Sequence, residues 1–339
     1  MRSLFVFLLF SVFALGSKAQ SESGLWLGAD VSYDITRRLG AEAEIGSRLE
    51  NGWSTFTRYD AALGVDYKVA KWLKLGVGYD FIRDYSPGEA PSLVYKKGEG
   101  NLQIIDGKTY DANGKPVDTE GYRVNSSGYR IVNGYNAESA YWRTKNRLYF
   151  DVTEKWKWGR VGFSLRERYQ FTHYAKVKGC EQKYRTEYEY NDFMTADIDM
   201  SHLLPYVDEE GDTYWYGLTR TENKKAKDKH YFRTRLAIDY NIRHCPLSPF
   251  ASYEIANDLG DAFAIVRHRV MAGFDWTLTH NKQHALSVAY LYQHGAEEEA
   301  GNNDLHVLSI GYKFKFESAL AKAQKKAKKK VQKEAKSNK

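Results

Sequence analysis

Beyond its first twenty residues, the sequence has no apolar run long enough to cross a membrane as a helix. A helical span needs about 20 predominantly apolar residues, and the mean hydropathy of the chain is −0.61. These two absences exclude an α-helical membrane protein. They leave open membrane-spanning strands, in which apolar residues alternate with polar ones and never form a long run.

Cysteine is also scarce, since Cys180 and Cys245 are the only two. On the strand map given below, Cys180 lies in a long outer connection and Cys245 in a short turn at the opposite end. We therefore expect their Cα atoms to lie farther apart than the roughly 7 Å that a disulfide tolerates. A disulfide between them is not predicted.

Catalytic and metal-binding motifs are missing as well. The sequence has no Gly-x-Ser-x-Gly elbow and no His-Glu-x-x-His motif, which position a nucleophilic serine or a catalytic zinc. It also has no Cys or His cluster with the spacing of a zinc site. The nine histidines are interpreted as ordinary rim or loop residues. No catalytic residue, metal ligand or cofactor is predicted.

The N-terminus has the features of a secretory signal peptide. Arg2 supplies a positive start, Leu4 to Leu15 is apolar apart from Ser11, and Ser17-Lys18-Ala19 has small residues at both cleavage-site positions. We expect cleavage after Ala19, so residues 1–19 are a signal peptide and the mature chain is secreted. The alternative, a helical anchor, would need a longer apolar run.

The body of the chain has no excess of positive charge, although the formal net charge of the whole chain is +7. From Ala319 onward there are nine Lys and one Glu, a net of +8, and the signal peptide adds Arg2 and Lys18. The remaining residues therefore carry a net charge of −3. This balance argues against a nucleic-acid-binding protein.

What the chain does have is period-2 alternation and many aromatic residues, which make up 15% of the sequence. In Leu39 to Leu49, for example, apolar residues share one face while Glu42, Glu44 and Arg48 share the other. Each segment is about 10 residues long, the length that a tilted membrane-spanning strand requires. Eleven such segments begin near Leu25, Leu39, Thr57, Leu73, Tyr141, Val161, Tyr231, Phe250, Ala264, His284 and Leu305.

The segments predict an all-β fold, a transmembrane antiparallel up-and-down β-barrel over residues 20–316. Bacterial single-chain barrels usually have an even strand number. We therefore expect 10–12 strands, with twelve favoured over ten, and one segment either misassigned or hidden in a connection. A soluble β-sandwich would also alternate, so it remains the structural alternative.

The connections alternate between short turns and longer loops, as an up-and-down barrel requires. Two connections, 84–140 and 172–229, exceed fifty residues each and are predicted to be extracellular loops. The first contains Gln103 to Lys108, whose central Asp-Gly predicts a hairpin of its own. At the short-turn end, aromatic residues recur in a pattern typical of a membrane-interface girdle: Tyr33, Tyr67, Trp72, Trp156, Trp158, Tyr240, Trp276 and Tyr312.

Charged residues of the strands share the face opposite the apolar one, which is the predicted lumen. Arginines are expected in its upper part, aspartates at the lower end, and glutamates between them. Two interpretations remain open: the carboxylates pair the arginines in a filled lumen, or the arginines form an electropositive funnel for anions. The predicted layer consists of Arg58, Arg143, Arg147, Arg166, Arg168, Arg233, Arg235, Arg267, Arg269, Glu42, Glu44 and Glu254.

The C-terminal strand ends on Phe316, which is typical of barrels delivered to the outer-membrane assembly machinery. A Lys-rich tail, residues 317–339, follows it and is predicted to lie in the periplasm. The tail is interpreted either as solvated and disordered or as a contact to anionic lipid or to an anionic cell-wall polymer.

Several of these segments together resemble a known family. Arg58 leads into Gly64-Val-Asp-Tyr67, Leu75-Gly-Val-Gly-Tyr79 follows, and Pro249-Phe-Ala-Ser-Tyr-Glu254 comes after a short turn. Further matching positions are Trp26, Arg48, Arg143, Arg147, Arg166, Arg168, Arg267 to Gly273 and Gly311 to Phe314. Residues 25–316 are similar to the uncharacterised barrel family called domain of unknown function 2490. The resemblance implies a barrel fold and an outer-membrane location, without an activity or catalytic residues.

The sequence thus predicts a barrel in the outer membrane of a Gram-negative bacterium, in contact with outer-membrane lipid and with the barrel-assembly machinery. Its function is expected to be that of a small porin-like pore or of a surface-displayed binding scaffold. The alternative from another class is an enzyme acting on lipid or peptide at the outer rim.

Overall fold

A computed structural model describes residues 22–185, 203–207, 213–295, 304–324 and 326–327. Its chain divides into two compact units, which are described one after the other. The first unit is built from residues up to Ser86, Trp142–Ala175, and the residues from Ala226 onward. The second comprises Pro87–Tyr141 and Lys176–Lys225. In the part of the chain that is described, no helix is both long and apolar enough to cross a membrane.

Nearly all described residues lie in strands or in the turns between them. In chain order the strands are β1 (Glu22–Asp34), β2 (Leu39–Glu50), β3 (Thr55–Lys68), β4 (Leu73–Ser86), β5 (Glu89–Tyr95), β6 (Gln103–Ile105), β7 (Lys108–Tyr110), β8 (Val132–Glu138), β9 (Tyr141–Trp158), β10 (Val161–Tyr174), β11 (Val177–Arg185), β12 (Leu203–Val207), β13 (Thr213–Lys224), β14 (Lys227–Tyr240), β15 (Leu247–Asp258), β16 (Ala264–Thr277), β17 (His284–His294) and β18 (Asp304–Glu317).

The first unit is a closed barrel in which the strands follow the order β1-β18-β17-β16-β15-β14-β10-β9-β4-β3-β2. The all-β barrel predicted from the alternation is therefore confirmed. Its strands are the eleven predicted segments, and most have 12 to 14 residues. Pairing is antiparallel at every junction for which a register is resolved, except at the junction between β1 and β18.

All eleven predicted segments belong to the barrel, so its strand number lies within the expected range of 10–12 but is not the favoured twelve. In an up-and-down barrel with an odd number of strands, the first and last strands must run in the same direction. Here β1 pairs with β18 in parallel, from Glu22 opposite Leu305 to Asp34 opposite Glu317. The expectation of an even strand number assumed that every pairing is antiparallel. The parallel pairing of β1 with β18 allows an odd number.

The second unit consists of the two long connections, which carry strands of their own. Its five-stranded sheet has the order β12-β13-β11-β8-β5. Tyr135, Tyr184 and Tyr216 form its buried core, with the first two rings stacked at a centroid distance of 4.6 Å. The hairpin predicted around residues 103–108 is present as β6 and β7. Its Asp106 and Gly107 have φ values of 52° and 75°, as a two-residue hairpin turn requires.

A seven-residue repeat follows this hairpin, and the sequence analysis did not recognise it. The Oδ1 atoms of Asp111, Asp118 and Asn125 each accept backbone N–H groups from the residues two and four positions later. A glycine with positive φ stands three positions after each of them. The N–H of Lys115, with further backbone N–H donors and Arg123, lowers the pKa of Asp111. Each repeat therefore closes one tight turn.

The start of the Lys-rich tail is helical at residues 319–324 and 326–327. Ser318 caps this helix, because its Oγ accepts the Ala321 N–H at 2.9 Å and also donates to the Ile35 carbonyl at 2.6 Å. Ala321 is fully buried, and the Gln324 side chain accepts the N–H of Arg37. The tail thus begins as a helix docked at the β1–β2 turn rather than as a disordered segment. Residues 328–339 and the predicted signal peptide lie outside the described residues.

Candidate functional site: the barrel lumen

The outward face of the barrel is apolar and exposed. Ile45 and Leu63 are 63% and 66% exposed, and the same face carries Leu27, Val65, Val77, Leu148, Phe150, Leu236, Ile238 and Val270. At the short-turn end, Tyr67, Trp72, Trp156, Trp158, Tyr240, Trp276 and Tyr312 are also exposed. Among the predicted girdle residues, Tyr33 alone is only partly exposed. Its ring lies tilted against that of Phe316, with the centroids 4.6 Å apart. The opposite face of these strands, which carries the predicted arginines and glutamates, therefore points into the lumen.

Toward the other end of the strands, the outward face carries a second aromatic group that the sequence analysis missed. Trp142 packs against Phe56, Tyr59 and Tyr85 at ring-centroid distances of 5.3 to 6.1 Å. Elsewhere around the barrel, tyrosine hydroxyls hydrogen-bond histidine Nδ1 atoms, as in Tyr253–His268 at 2.8 Å. Their clustering depends on which strands are neighbours, and alternation along one strand does not show this.

Glu254 on β15 is the centre of the basic side of the lumen. Its carboxylate lies 2.5 Å from Arg233 Nη2, 3.2 Å from Arg166 Nη2 and 3.8 Å from Arg269 Nη1. These arginines come from β14, β10 and β16, so one buried carboxylate joins four strands. The charged groups that act most strongly on it also include Arg267. The prediction that Glu254 lies among the arginines agrees with this geometry.

Four other predicted arginines have aspartate or backbone partners. Arg168 forms a bidentate pair with Asp151 at 2.6 and 2.7 Å. The remaining contacts are Arg147 with Asp80 at 3.2 Å, Arg58 with Asp84, and Arg143 with the Ala175 carbonyl at 3.0 Å. Lys145 shares Asp84 with Arg58. These contacts bury several charged side chains near the start of β9.

The expected roles of Glu42 and Glu44 differ from the observed ones. Both were candidates to neutralise the arginines, yet the charged groups that act most strongly on Glu44 are Asp30, Asp60, Asp80 and Glu42. The registers explain this, because Asp30 lies directly opposite Glu44 and Gly46 opposite Asp60. The strands β1, β2 and β3 therefore form an acidic wall, defined by Asp30, Glu42, Glu44 and Asp60.

A basic wall, defined by Arg166, Arg233, Arg235, Arg267 and Arg269, lies on β10, β14 and β16. Arg166 lies directly opposite Arg235, and Arg168 opposite Arg233. A cavity of about 310 Å³ is lined by both walls, and a second of about 710 Å³ extends from them toward Lys155, Asp239 and Lys313 near the short turns. The lumen thus holds space between walls of opposite charge.

Tyr149 on β9 occupies the space left by two glycines of neighbouring strands. A Cβ atom added to Gly78 would lie 2.2 Å from its ring, and one added to Gly64 would lie 3.1 Å from its hydroxyl. The Arg168 guanidinium stacks on the same ring, with its Cζ atom 3.7 Å from the centroid. The glycines at these positions therefore let the tyrosine lie flat on the lumen wall and support Arg168.

At the short-turn end, aspartates pair with lysines rather than arginines. Asp275 lies 2.8 Å from Lys313 Nζ, and Asp66 lies 3.6 Å from Lys74 Nζ. Asp80 and Asp84 were missed as partners of the arginines, although alternation along β4 places both on the lumen face. Among the described residues, no group of three or more His, Cys, Asp or Glu side chains could hold a metal ion. Both cysteines are free, with Cys180 buried.

The fold and lumen define a closed β-barrel with an apolar exterior and a charged interior. The model of the family described as protein of unknown function (DUF2490) matches residues 23–100 and 119–304. The chain therefore belongs to this family, as its sequence motifs predicted.

The solved structures that resemble the chain include an autotransporter domain and a porin. The beta domain of the Bordetella autotransporter BrkA has 10% sequence identity and a TM-score of 0.36, covering 81% of this chain and 78% of that one. The NanC porin has 12% identity and a TM-score of 0.38, covering 87% of this chain and 98% of that one. No curated protein matches the sequence.

Proposed function

We propose that this protein is an integral outer-membrane barrel that acts as a small pore for polar solutes. The observation that carries the proposal is the combination of an exposed apolar exterior with a charged lumen that contains open space. Soluble monomers rarely expose contiguous apolar patches larger than a few hundred Å². In a bilayer the same surface contacts lipid, and closure of the barrel satisfies the backbone hydrogen bonds.

The location rests on three features of the chain. The signal peptide predicted at residues 1–19 directs export. Strands of 12 to 14 residues are long enough to cross a bilayer at a tilt. The exposed tyrosines and tryptophans at the short-turn end are suited to a membrane–water interface. Outer-membrane lipid and the barrel-assembly machinery are the partners this location implies, and the Lys-rich tail would contact anionic periplasmic polymer or lipid.

Transport is favoured over a scaffold role by the lumen itself. A barrel that serves only to display its loops could be filled with side chains, whereas cavities of about 310 and 710 Å³ remain here. Buried ion pairs between Arg58, Lys145 and Asp84 fill part of the barrel near the start of β9, so we expect a low conductance.

The test combines fractionation with electrical recording. The full chain should be recovered in the membrane fraction and released only by detergent. After purification it should give steady current steps in a planar bilayer. Arg235→Gln should shift the reversal potential in a salt gradient toward cations, because it removes a lumen charge. Arg243→Gln removes the same charge from a short turn and serves as the control. Recovery as a soluble protein, or electrical silence of demonstrably folded protein, would overturn the proposal.

A further inference from the structure

In part of the lumen, charges of like sign are grouped on neighbouring strands, and this grouping opposes stability, although Arg48 on β2 lines the same cavity as the acidic wall. Asp30 faces Glu44 across β1 and β2, and Arg166 faces Arg235 across β10 and β14. Like charges directly opposite one another on neighbouring strands are destabilising. The same barrel also contains well-matched pairs such as Arg168 with Asp151. Filling and stabilising the lumen therefore does not explain why the two walls are kept apart.

Three arginines of the basic wall share one carboxylate. Arg166, Arg233 and Arg269 all lie within 4 Å of Glu254. The Nε atom of Arg166 is buried and has no hydrogen-bond partner among the described residues. A buried donor without a partner is costly, and this cost adds to that of placing like charges on one wall.

The walls are separated by space that a small solute can enter. The cavity of about 710 Å³ is lined between the charged residues by small side chains, among them Ser164, Ala237, Ser252, Ser287 and Ala289. Ligand pockets typically have volumes of roughly 300–1,000 Å³. Trp26, Phe250 and Met271 add apolar surface to the same lining, and the arginine, lysine and carboxylate heads are the charged groups that a solute would meet.

We infer that the lumen binds small dipolar solutes that carry a carboxylate and an ammonium group at separate ends, with the carboxylate on the basic wall and the ammonium on the acidic wall. A simple anion would meet the acidic wall, and a simple cation the basic one. A solute with both charges can orient in the field between the walls and gain two charge-assisted contacts. This inference rests on the proposed lumen function and adds the solute class.

The test uses three probes of one length: 6-aminohexanoate, hexanoate and hexylammonium. Binding to the refolded full chain in uncharged micelles is measured by titration calorimetry at neutral pH and low salt. We expect 6-aminohexanoate to bind about tenfold or more tightly than either single-charge probe, since a hydrogen bond to a charged group contributes that much. Asp30→Asn with Glu44→Gln should reduce its affinity to that of hexanoate. Asp261→Asn, in a turn outside the lumen, should change nothing.

Two outcomes would overturn the inference: equal binding of hexanoate and 6-aminohexanoate, or no binding of any probe by folded protein. A third would do so as well, namely retention of the preference after the acidic wall is neutralised. The binding measurement does not require conduction. Steady current steps without a preference among the probes would therefore support the pore and reject binding of dipolar solutes. Preferential binding of 6-aminohexanoate without any current would support dipolar binding and reject the pore.

Discussion

Glu254 illustrates how much a single residue can organise in a charged lumen. Its side chain is 6% exposed and contacts arginines that originate on three other strands. Isolated buried charges are very costly, so neither the carboxylate nor the surrounding guanidinium groups would be stable there alone. The residue therefore links four neighbouring strands and also neutralises part of the charge of the basic wall.

Replacing Glu254 by Gln should destabilise the folded barrel by about 3–5 kcal/mol, because it leaves several buried arginines without a counter-charge. The measurement is urea unfolding of the refolded protein in micelles, followed by tryptophan fluorescence. Glu120→Gln is the matched control, since Glu120 pairs with Arg130 but its side chain is 65% exposed. An exposed pair contributes at most about 1 kcal/mol. Equal effects of the two substitutions would contradict the role given to Glu254.

The parallel pairing of β1 with β18, called the seam here, distinguishes an eleven-stranded barrel from a twelve-stranded one. A twelfth strand would have to lie between them, whereas Leu27 lies directly opposite Ile310 in the seam. Both side chains belong to the outward face, so cysteines introduced there are accessible to an oxidant. Neighbouring strands lie about 4.8 Å apart, which is within the range of Cα distances that a disulfide can join.

Leu27→Cys combined with Ile310→Cys should therefore crosslink on mild oxidation, in a background where Cys180→Ser and Cys245→Ser remove the native thiols. The crosslink is read as faster migration on a denaturing gel without reductant, which reductant reverses. Leu27→Cys with Phe314→Cys is the register control and should stay uncrosslinked, because Phe314 lies opposite Val31. Failure of the first pair in folded protein would reject the seam.

The strands themselves were predictable where outward-facing apolar residues mark them. Leu39 and Leu73 begin β2 and β4 as expected, since alternation starts directly after a short turn. The start of β14 was placed near Tyr231, but the strand begins at Lys227. The residues from Lys227 to His230 are polar on both faces, so the strand continues past the part that alternation can detect.

Charge pairing was less predictable than strand position. Alternation correctly sorted Glu42, Glu44 and the arginines onto one face, but it carries no information about which strands are neighbours. Glu254 contacts Arg166 because a single strand, β14, lies between their strands β15 and β10 in the barrel. Glu44 meets other carboxylates because β1 and β3 flank β2. Closure and register of the whole sheet, rather than any local pattern, decide these contacts.

At the scale of the whole molecule, the two long connections leave the barrel at points where its strands are already neighbours. β4 pairs with β9, and Tyr174 at the end of β10 lies directly opposite Lys227 at the start of β14. A short connection could therefore close either hairpin. The second unit meanwhile has its own tyrosine core and its own ion pairs, such as Lys224 with Glu138 at 2.7 Å.

We therefore expect the barrel to fold without the second unit. In the test variant, residues 88–140 and 176–225 are each replaced by a four-residue Gly-Ser connection. We expect both this variant and the full chain to refold in micelles and to migrate differently on gels before and after heating. Insertions between neighbouring strand ends rarely contribute to the core of the host domain. A variant lacking β10, residues 161–174, breaks the barrel and serves as the negative control. If the shortened chain behaves like that control, the barrel depends on the second unit for folding.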